Sequence, residues 1–183
     1  MFAVTFITQV LNGLQLGSIY ALVALGYTMV YGIILLLNFA HGDIIMVGAY
    51  ISWLVMSKLG LNPAIAVVLS IVGCMLLGVL IDKVAYAPLR DAPRLSILIT
   101  AIGVSYFLEN GSQLLFGADA KVVPAYTSVS NIQVGDLTLS FSAIVTVVVT
   151  AVATVVLTFL VQKTKLGKAM RAVSEDMGAA RLM

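Results

Sequence analysis

The polar residues Asn38, His41 and Asp43 interrupt a long hydrophobic stretch and carry the most informative chemistry in the chain. Ionisable groups at bilayer depth are costly and usually face the interior of a helix bundle or a water-filled cavity. Unwound backbone is tolerated there only where protein buries it or where it lines such a cavity. The segment 38–43 is therefore either a broken helix that lines a cavity between helices, or a loop at the cytoplasmic interface in which Asp43 caps the next helix. Metal binding by His41 and Asp43 is disfavoured, because the chain has no second histidine.

A second candidate is a row of hydroxyl groups in the last predicted span. Spacing of four residues places these groups on one face of a helix. They either line an aqueous path, or donate to the carbonyl groups four residues earlier and hold neighbouring helices together, and we favour the second interpretation. The row consists of Ser142, Thr146, Thr150, Thr154 and Thr158. Thr146, Thr150 and Thr154 are the candidate path residues among them.

Glu109 is the third candidate, because it is an acidic residue in the outer third of a predicted span. It is either a group of a polar pathway or a residue that finds a partner within the helix bundle, and the second role is the commoner one.

Small residues recur every four positions in two predicted spans, which favours close helix–helix contacts at those faces. The two stripes are Gly13, Gly17 and Ala21 in the first span, and Ala66, Ser70, Cys74 and Gly78 in the third.

The composition limits the classes of protein that can carry these residues. Of 183 residues, 61% are hydrophobic and 10% are charged, whereas soluble domains have roughly 25% charged residues. This excludes a soluble enzyme and a disordered regulator, and a net charge of +2 excludes a nucleic-acid binder. The pair Gly167-Lys168 lacks the rest of a phosphate-binding loop, and no other nucleotide or cofactor motif occurs.

The pattern predicts an all-α fold, a polytopic bundle of about five membrane segments with a broken helix near 38–43. The predicted spans lie at about 6–30, 44–57, 63–82, 95–116 and 141–161, since a span needs about 20 apolar residues. Residues 117–140 form a polar loop. The tail from Leu166 onward has helical spacing, with Met170, Val173 and Met177 on one face and Arg171 four residues before Glu175. A short amphipathic helix of this kind more often lies on a membrane surface than docks on a partner.

The distribution of lysine and arginine among the loops predicts how the chain is oriented in the membrane, because cytoplasmic loops carry the excess of these residues. Eight of the ten basic residues lie in the loop 83–94 and the tail 163–183, and the other two are Lys58 and Lys121. The basic loop and the C-terminus are therefore predicted to be cytoplasmic and residues 117–140 external. The N-terminus is external if 6–57 crosses twice.

Three stretches resemble the permease subunits of branched-chain amino acid ABC transporters, of the LivH type. They are LNFAHGDIIMVGAYI at 37–51, IGVSYFLENGSQLLFG at 102–117, and GKAMRAVSEDMGAARL in the tail. The resemblance implies a bacterial or archaeal plasma-membrane protein that is a transport subunit and not itself an enzyme. The implied partners are a second permease subunit, two ATP-binding subunits and an extracytoplasmic substrate-binding protein.

The resemblance also implies that residues 1–183 form one permease domain, with a cytoplasmic coupling segment at 163–183 that docks on the ATPase. The matching coupling positions are Gly167, Arg171, Ala172, Glu175, Asp176, Ala179 and Ala180. Members of this family continue through further spans after this segment, so we expect the chain ending at Met183 to be truncated. Some members of this family also carry urea or short amides. Two alternative functions remain: an ion-coupled carrier or channel, and a membrane assembly protein.

Overall fold

The computed structural model describes residues 2–34, 38–90, 92–124, 126, 132–134 and 137–175. Six helices and one short hairpin follow in chain order: α1 (Phe2–Ile34), α2 (His41–Trp53), α3 (Pro63–Ile81), α4 (Arg94–Phe116), β1 (Ile132–Val134), β2 (Leu137–Leu139), α5 (Phe141–Lys163) and α6 (Lys165–Glu175). The chain divides into two compact units. The first contains α1, the hairpin, α5 and α6, and the second contains α2, α3 and α4.

In the first unit, α1 packs along α5 through two small hydroxyl residues. Ser18 of α1 and Thr150 of α5 are both buried, in helices whose other side chains are mostly exposed. The Thr150 hydroxyl lies 3.3 Å from the carbonyl oxygen of Ser18, across the helix crossing. The crossing therefore depends on small side chains that allow close approach and on a hydroxyl that reaches the other backbone.

Helix α6 joins α5 at a tight corner and packs against both α5 and α1. The Thr164 hydroxyl donates to the carbonyl of Leu160 and accepts a hydrogen bond from the Gly167 amide at 3.1 Å. Gly167 is buried, and a Cβ at this position would overlap the carbonyl groups of Leu160 and Val161. Only glycine fits this corner without a shift of the backbone.

In the second unit, α2 and α3 form an antiparallel pair with close contacts between small residues. The Ser70 hydroxyl donates to the carbonyl of Gly48 at 3.0 Å, and the Ser70 and Ser52 hydroxyls lie 2.8 Å apart. A Cβ at Gly48 would lie 2.8 Å from the Cys74 sulfur. Residues Ser70 and Cys74 of the predicted third-span stripe thus face α2, and Ala66 is fully buried.

The helix ends of this unit follow from their local sequence. Helix α2 continues into a π-helical turn, Leu54–Lys58, and the chain then reverses at Gly60 with a φ of +62°. The Asn62 side chain caps α3 by accepting from the Ala64 amide at 2.9 Å, and Pro63 occupies the first helical position. Helix α3 continues through a second π-helical turn, Asp82–Tyr86, and a short 3₁₀ turn, Ala87–Leu89.

Helix α4 meets the end of α2 through aromatic rings. The rings of Tyr50 and Phe116 stack with centroids 4.5 Å apart, and Trp53 meets Phe116 edge to face. The ammonium groups of Lys58 and Lys121 lie within 6 Å of the Trp53 ring centroid, at 5.9 and 5.7 Å. This cluster fixes the ends of α2 and α4 relative to each other.

Three helical segments in the described part of the chain are long and apolar enough to cross a membrane: Val4–Gly32, Pro63–Leu89 and Phe141–Lys163. They coincide with the first, third and fifth predicted spans, and the predicted helical character is confirmed. Helix α2 has 13 residues and is too short by itself, and α4 has 23 residues but carries Glu109, Asn110 and Gln113. The three-residue strands β1 and β2, paired from Ile132–Leu139 to Val134–Leu137, lie in the stretch predicted as a loop.

The α5–α6 corner yields a first prediction. Replacement of Gly167 by Ala should displace α6, because the added methyl group meets backbone that cannot move independently; we expect a cost of about 1–3 kcal/mol. Trypsin should then cut the purified protein at Lys168 and Arg171 roughly tenfold faster than in the wild type. Gly17→Ala is the matched control, since a Cβ at Gly17 meets nothing within 4 Å. Equal cleavage rates in both variants would contradict the tight corner.

Candidate functional site

The polar break between α1 and α2 is held in shape by Asn38. Its side-chain oxygen accepts from the Ala40 amide at 3.1 Å, and its carbonyl accepts from the His41 amide at 3.2 Å. Ala40 is completely buried in this turn, whereas Phe39 is exposed. Residues 38–40 of the break are therefore an ordered turn with its own hydrogen bonds, and α2 begins within the break, at His41.

The break is also attached to the end of the α3 segment. The Tyr86 hydroxyl donates to the same side-chain oxygen of Asn38 at 2.9 Å. Tyr86 is the last residue of the π-helical turn Asp82–Tyr86, and turns of this type frequently occur at functional positions. Close by in sequence, Arg90 bonds both carboxylate oxygens of Asp82 at 3.4 and 3.1 Å, which closes the corner between α3 and α4.

Asp43 connects the break to α4. Its carboxylate accepts a hydrogen bond from the Ser105 hydroxyl, and it lies in the first turn of α2, where the helix dipole favours a negative charge. Asp43 does not occupy the capping position, which belongs to Ala40 and has no side-chain cap. The carboxylate is half-buried and uses one of its several acceptor positions on Ser105.

Two contacts show how far along the helices this site lies. Ser105 is near the middle of the 23-residue α4. The Cys74 thiol, near the middle of the 27-residue segment Pro63–Leu89, donates to the carbonyl of Ile44 at 3.4 Å. Asp43 thus lies near the midpoint of both helices, whereas Asn38 lies near the end of the α3 segment. A half-buried carboxylate at such a level can bind a polar or cationic group that passes along the helices.

His41 and Glu109 differ from Asp43 in their surroundings. His41 is half-buried at the first position of α2. Glu109 is exposed on α4, one helical turn beyond Ser105, and the structure shows no bond between it and the break within the described ranges. In those ranges no group of three or more His, Cys, Asp or Glu residues is arranged to hold a metal ion.

The hydroxyl row of α5 bonds its own helix. Thr146, Thr150 and Thr154 donate to the carbonyl groups four residues earlier, at 2.7–2.8 Å. Thr150 in addition meets α1 through Ser18. This is the arrangement that the favoured interpretation predicts. The row belongs to the first unit, whereas Asn38, His41, Asp43 and Glu109 belong to the second, so the path role of these threonines stays a prediction.

Four of the predicted coupling residues lie in α6, and Asp176, Ala179 and Ala180 lie outside the described residues. Gly167 is buried in the corner with α5, Ala172 is half-buried, and Arg171 and Glu175 are exposed. The expected Arg171–Glu175 pair is not formed in the structure. The Arg171 guanidinium donates instead to the carbonyl of Gln162 at 3.4 Å, where a cation complements the C-terminal end of α5.

Tyr86 and Ser105 were not predicted as site residues. Ser105 is one of several hydroxyl residues in a predicted span, and Tyr86 lies in a basic loop. Their only distinguishing property is a hydrogen bond to a residue 48 or 62 positions away in the chain. Pairings over such a separation do not leave a local pattern in one sequence.

Three long apolar helices and an ordered polar turn ahead of α2 define this molecule as a helical membrane protein. Over residues 9–183 the chain matches the family described as branched-chain amino acid transport system / permease component. The chain belongs to this family.

Two curated relatives illustrate the similarity. The high-affinity branched-chain amino acid transport system permease protein BraD of Pseudomonas aeruginosa is 38% identical over 97% of this chain. The corresponding permease protein LivH of Escherichia coli K12 is 39% identical over the same share of the chain. The chain spans 62% of the length of each of these relatives. No solved structure is a significant match.

Proposed function

We propose that this chain belongs to the membrane-spanning permease subunit of an ABC importer that carries branched-chain amino acids across the plasma membrane of a bacterium or archaeon. The observation that carries the proposal is its family membership, together with 38–39% identity to permeases of branched-chain amino acid transport. In this proposal separate subunits bind and hydrolyse ATP, and the chain belongs to the permease component alone. A second permease subunit and an extracytoplasmic substrate-binding protein complete the assembly.

The proposed topology has five membrane segments. Three are the long apolar helices α1, α3 and α5. The other two are α2 with its π-helical extension to Lys58, and α4, which at 23 residues is about 35 Å long and matches a hydrocarbon core of about 30 Å. The basic loop 83–94 and α6 lie in the cytoplasm, since lysine and arginine concentrate there.

The break 38–43 lines the path of the substrate in this proposal. Support comes from the position of Asp43, half-buried near the midpoint of α4, and from the ordered turn that replaces regular helix at 38–40. Non-helical backbone among membrane helices is stable only where protein or a polar cavity satisfies it. An amino acid carries an ammonium and a carboxylate, and both need polar partners as they leave water.

The coupling segment 163–183 transmits the action of the ATPase. Part of α6 already packs against α1 and α5, which leaves the exposed residues Lys168, Arg171 and Glu175 for a partner. These charges orient the partner and add little affinity, because exposed ion pairs contribute only about 0–1 kcal/mol. The small residues Gly178, Ala179 and Ala180 allow close docking.

The topology can be tested by labelling single cysteines in intact cells, in a Cys74→Ala background of the full-length subunit. Thr127→Cys should react with an impermeant maleimide, because the proposal places 117–140 outside the membrane. Ala92→Cys should react only after the membrane is opened with detergent. The opposite pattern would show that the orientation is reversed.

Asp43→Ala should reduce leucine uptake about tenfold in cells that contain the complete transporter, because the path loses its charged group. The amount of permease in the membrane, measured by immunoblot, should stay at the wild-type level. Asp119→Ala is the control, since Asp119 is an exposed carboxylate outside the helices. Uptake by Asp43→Ala at the wild-type rate would leave the break with a purely structural role.

Ala179→Glu should abolish co-purification of the ATP-binding subunits and with it transport. The added carboxylate would be desolvated in the contact, at a cost of several kcal/mol. Ala118→Glu, at an exposed position after α4, is a matched control that adds the same charge elsewhere. Undiminished co-purification and uptake by Ala179→Glu would show that this segment is not the coupling element. Failure of wild-type permease to retain any ATPase would overturn the ABC importer itself.

A further inference from the structure

The break 38–43 is held from two sides by residues of two other helices. Tyr86, at the end of the α3 segment, bonds the Asn38 side chain, and Ser105, in the middle of α4, bonds Asp43. Asn38 and Asp43 are the first and last residues of the break, so both of its ends are attached. The intervening Ala40 is completely buried.

We infer that Tyr86 and Ser105 are positioning residues of the transport path, which fix the Asn38 amide and the Asp43 carboxylate in the orientation that the passing substrate requires. The inference rests on the proposed function, because it assumes that 38–43 lines the path. Neither residue needs to touch the substrate. Each acts through the polar side chain that it bonds.

The role of Ser105 follows from the chemistry of the carboxylate. A carboxylate on a flexible side chain rotates between rotamers, and one hydrogen bond from a neighbouring helix restricts it to an orientation. Ser105 donates its only proton to Asp43, which leaves the other acceptor positions of the carboxylate for a donor such as an ammonium group. Within the described residues no lysine or arginine pairs with Asp43, whereas Arg90 pairs with Asp82.

The role of Tyr86 follows from the atom that it bonds, because this atom also accepts a hydrogen bond within the turn. The side-chain oxygen of Asn38 accepts from both Tyr86 and the Ala40 amide, at 2.9 and 3.1 Å. The tyrosine thereby fixes which way the amide group points and where its NH₂ group is presented. Without the hydroxyl, the turn retains its internal bond but loses its attachment to α3.

The experiment is a pair of double-mutant cycles, measured as the maximum rate of leucine uptake by the complete transporter. The single variants Ser105→Ala and Tyr86→Phe should each lower the maximum rate about tenfold, the effect expected for loss of a hydrogen bond to a charged or key polar group. The half-saturation concentration should stay unchanged, because the separate binding protein sets it. Ser105→Thr keeps the hydroxyl and should retain at least half of the rate.

The cycles separate positioning from general stability. Ser105→Ala should have no further effect in an Asp43→Ala background, and Tyr86→Phe none in an Asn38→Ala background, because each acts through its partner. Thr100→Ala is a control on α4, since the Thr100 hydroxyl bonds only its own helix at Ser96. Tyr106→Phe is a control for the loss of an exposed phenol. Wild-type rates in Ser105→Ala and Tyr86→Phe, or effects that add to those of the partner substitutions, would overturn the inference.

A second measurement does not depend on transport. Ala40 is completely buried within the break, so a cysteine there, in a Cys74→Ala background, reacts with a small maleimide when the break opens locally, and its rate of reaction reports that opening. Ser105→Ala and Tyr86→Phe should each raise this rate roughly fivefold, and Thr100→Ala should not. Unchanged labelling would disprove the attachment of the break. If labelling rises as expected but the complete transporter does not carry leucine, the break is attached as described and the proposed function is wrong.

Discussion

The structure depends on one constraint: polar groups that leave water among apolar helices must find partners within the protein. An unpaired backbone group or carboxylate in hydrocarbon costs several kcal/mol, and the segment 38–43 introduces both. Asn38 satisfies the backbone of the turn, and Tyr86 and Ser105 satisfy its side chains from α3 and α4. The arrangement of the second unit around the break follows from these bonds, since they join three helices at defined levels.

The same constraint explains why helix contacts rely on small residues. Between helices in lipid there is no hydrophobic driving force, so association depends on close packing and on hydrogen bonds. Gly48 lets α2 approach Cys74, and the hydroxyls of Ser52 and Ser70 meet inside that contact. In the first unit, the small residues Ser18 and Thr150 let α1 and α5 approach closely, and the Thr150 hydroxyl bonds the carbonyl of Ser18. The large apolar side chains of these helices point outward; Val155 and Phe159 of α5, for example, are 68% and 63% exposed.

Hydroxyl groups therefore have two different uses in this protein. Those of Thr146 and Thr154 bond the carbonyl group one turn back and complete the hydrogen bonding of α5 alone. The hydroxyls of Ser105 and Tyr86 reach across to another element and orient a polar group of the break. In the proposed function only the second kind bears on transport, because only it orients the polar groups of the break that would line the path. In the short helix α6, packing and exposed charge are likewise separate: Gly167 packs against α5, and the charged residues remain exposed.

The sequence alone determined the class of protein, the helices and the position of the break. Runs of apolar residues, Asn62-Pro63 and the two clusters of basic residues are local signals, and the observed bounds of α3, α4 and α5 lie within a few residues of the predicted ones. The tertiary structure decided which polar groups meet. Asp43 on Ser105, Asn38 on Tyr86, Arg171 on Gln162 rather than Glu175, and the buried corner at Gly167 all depend on how helices pack. In a chain with few polar residues, many pairings satisfy the same local pattern, and only the packing of the helices selects one.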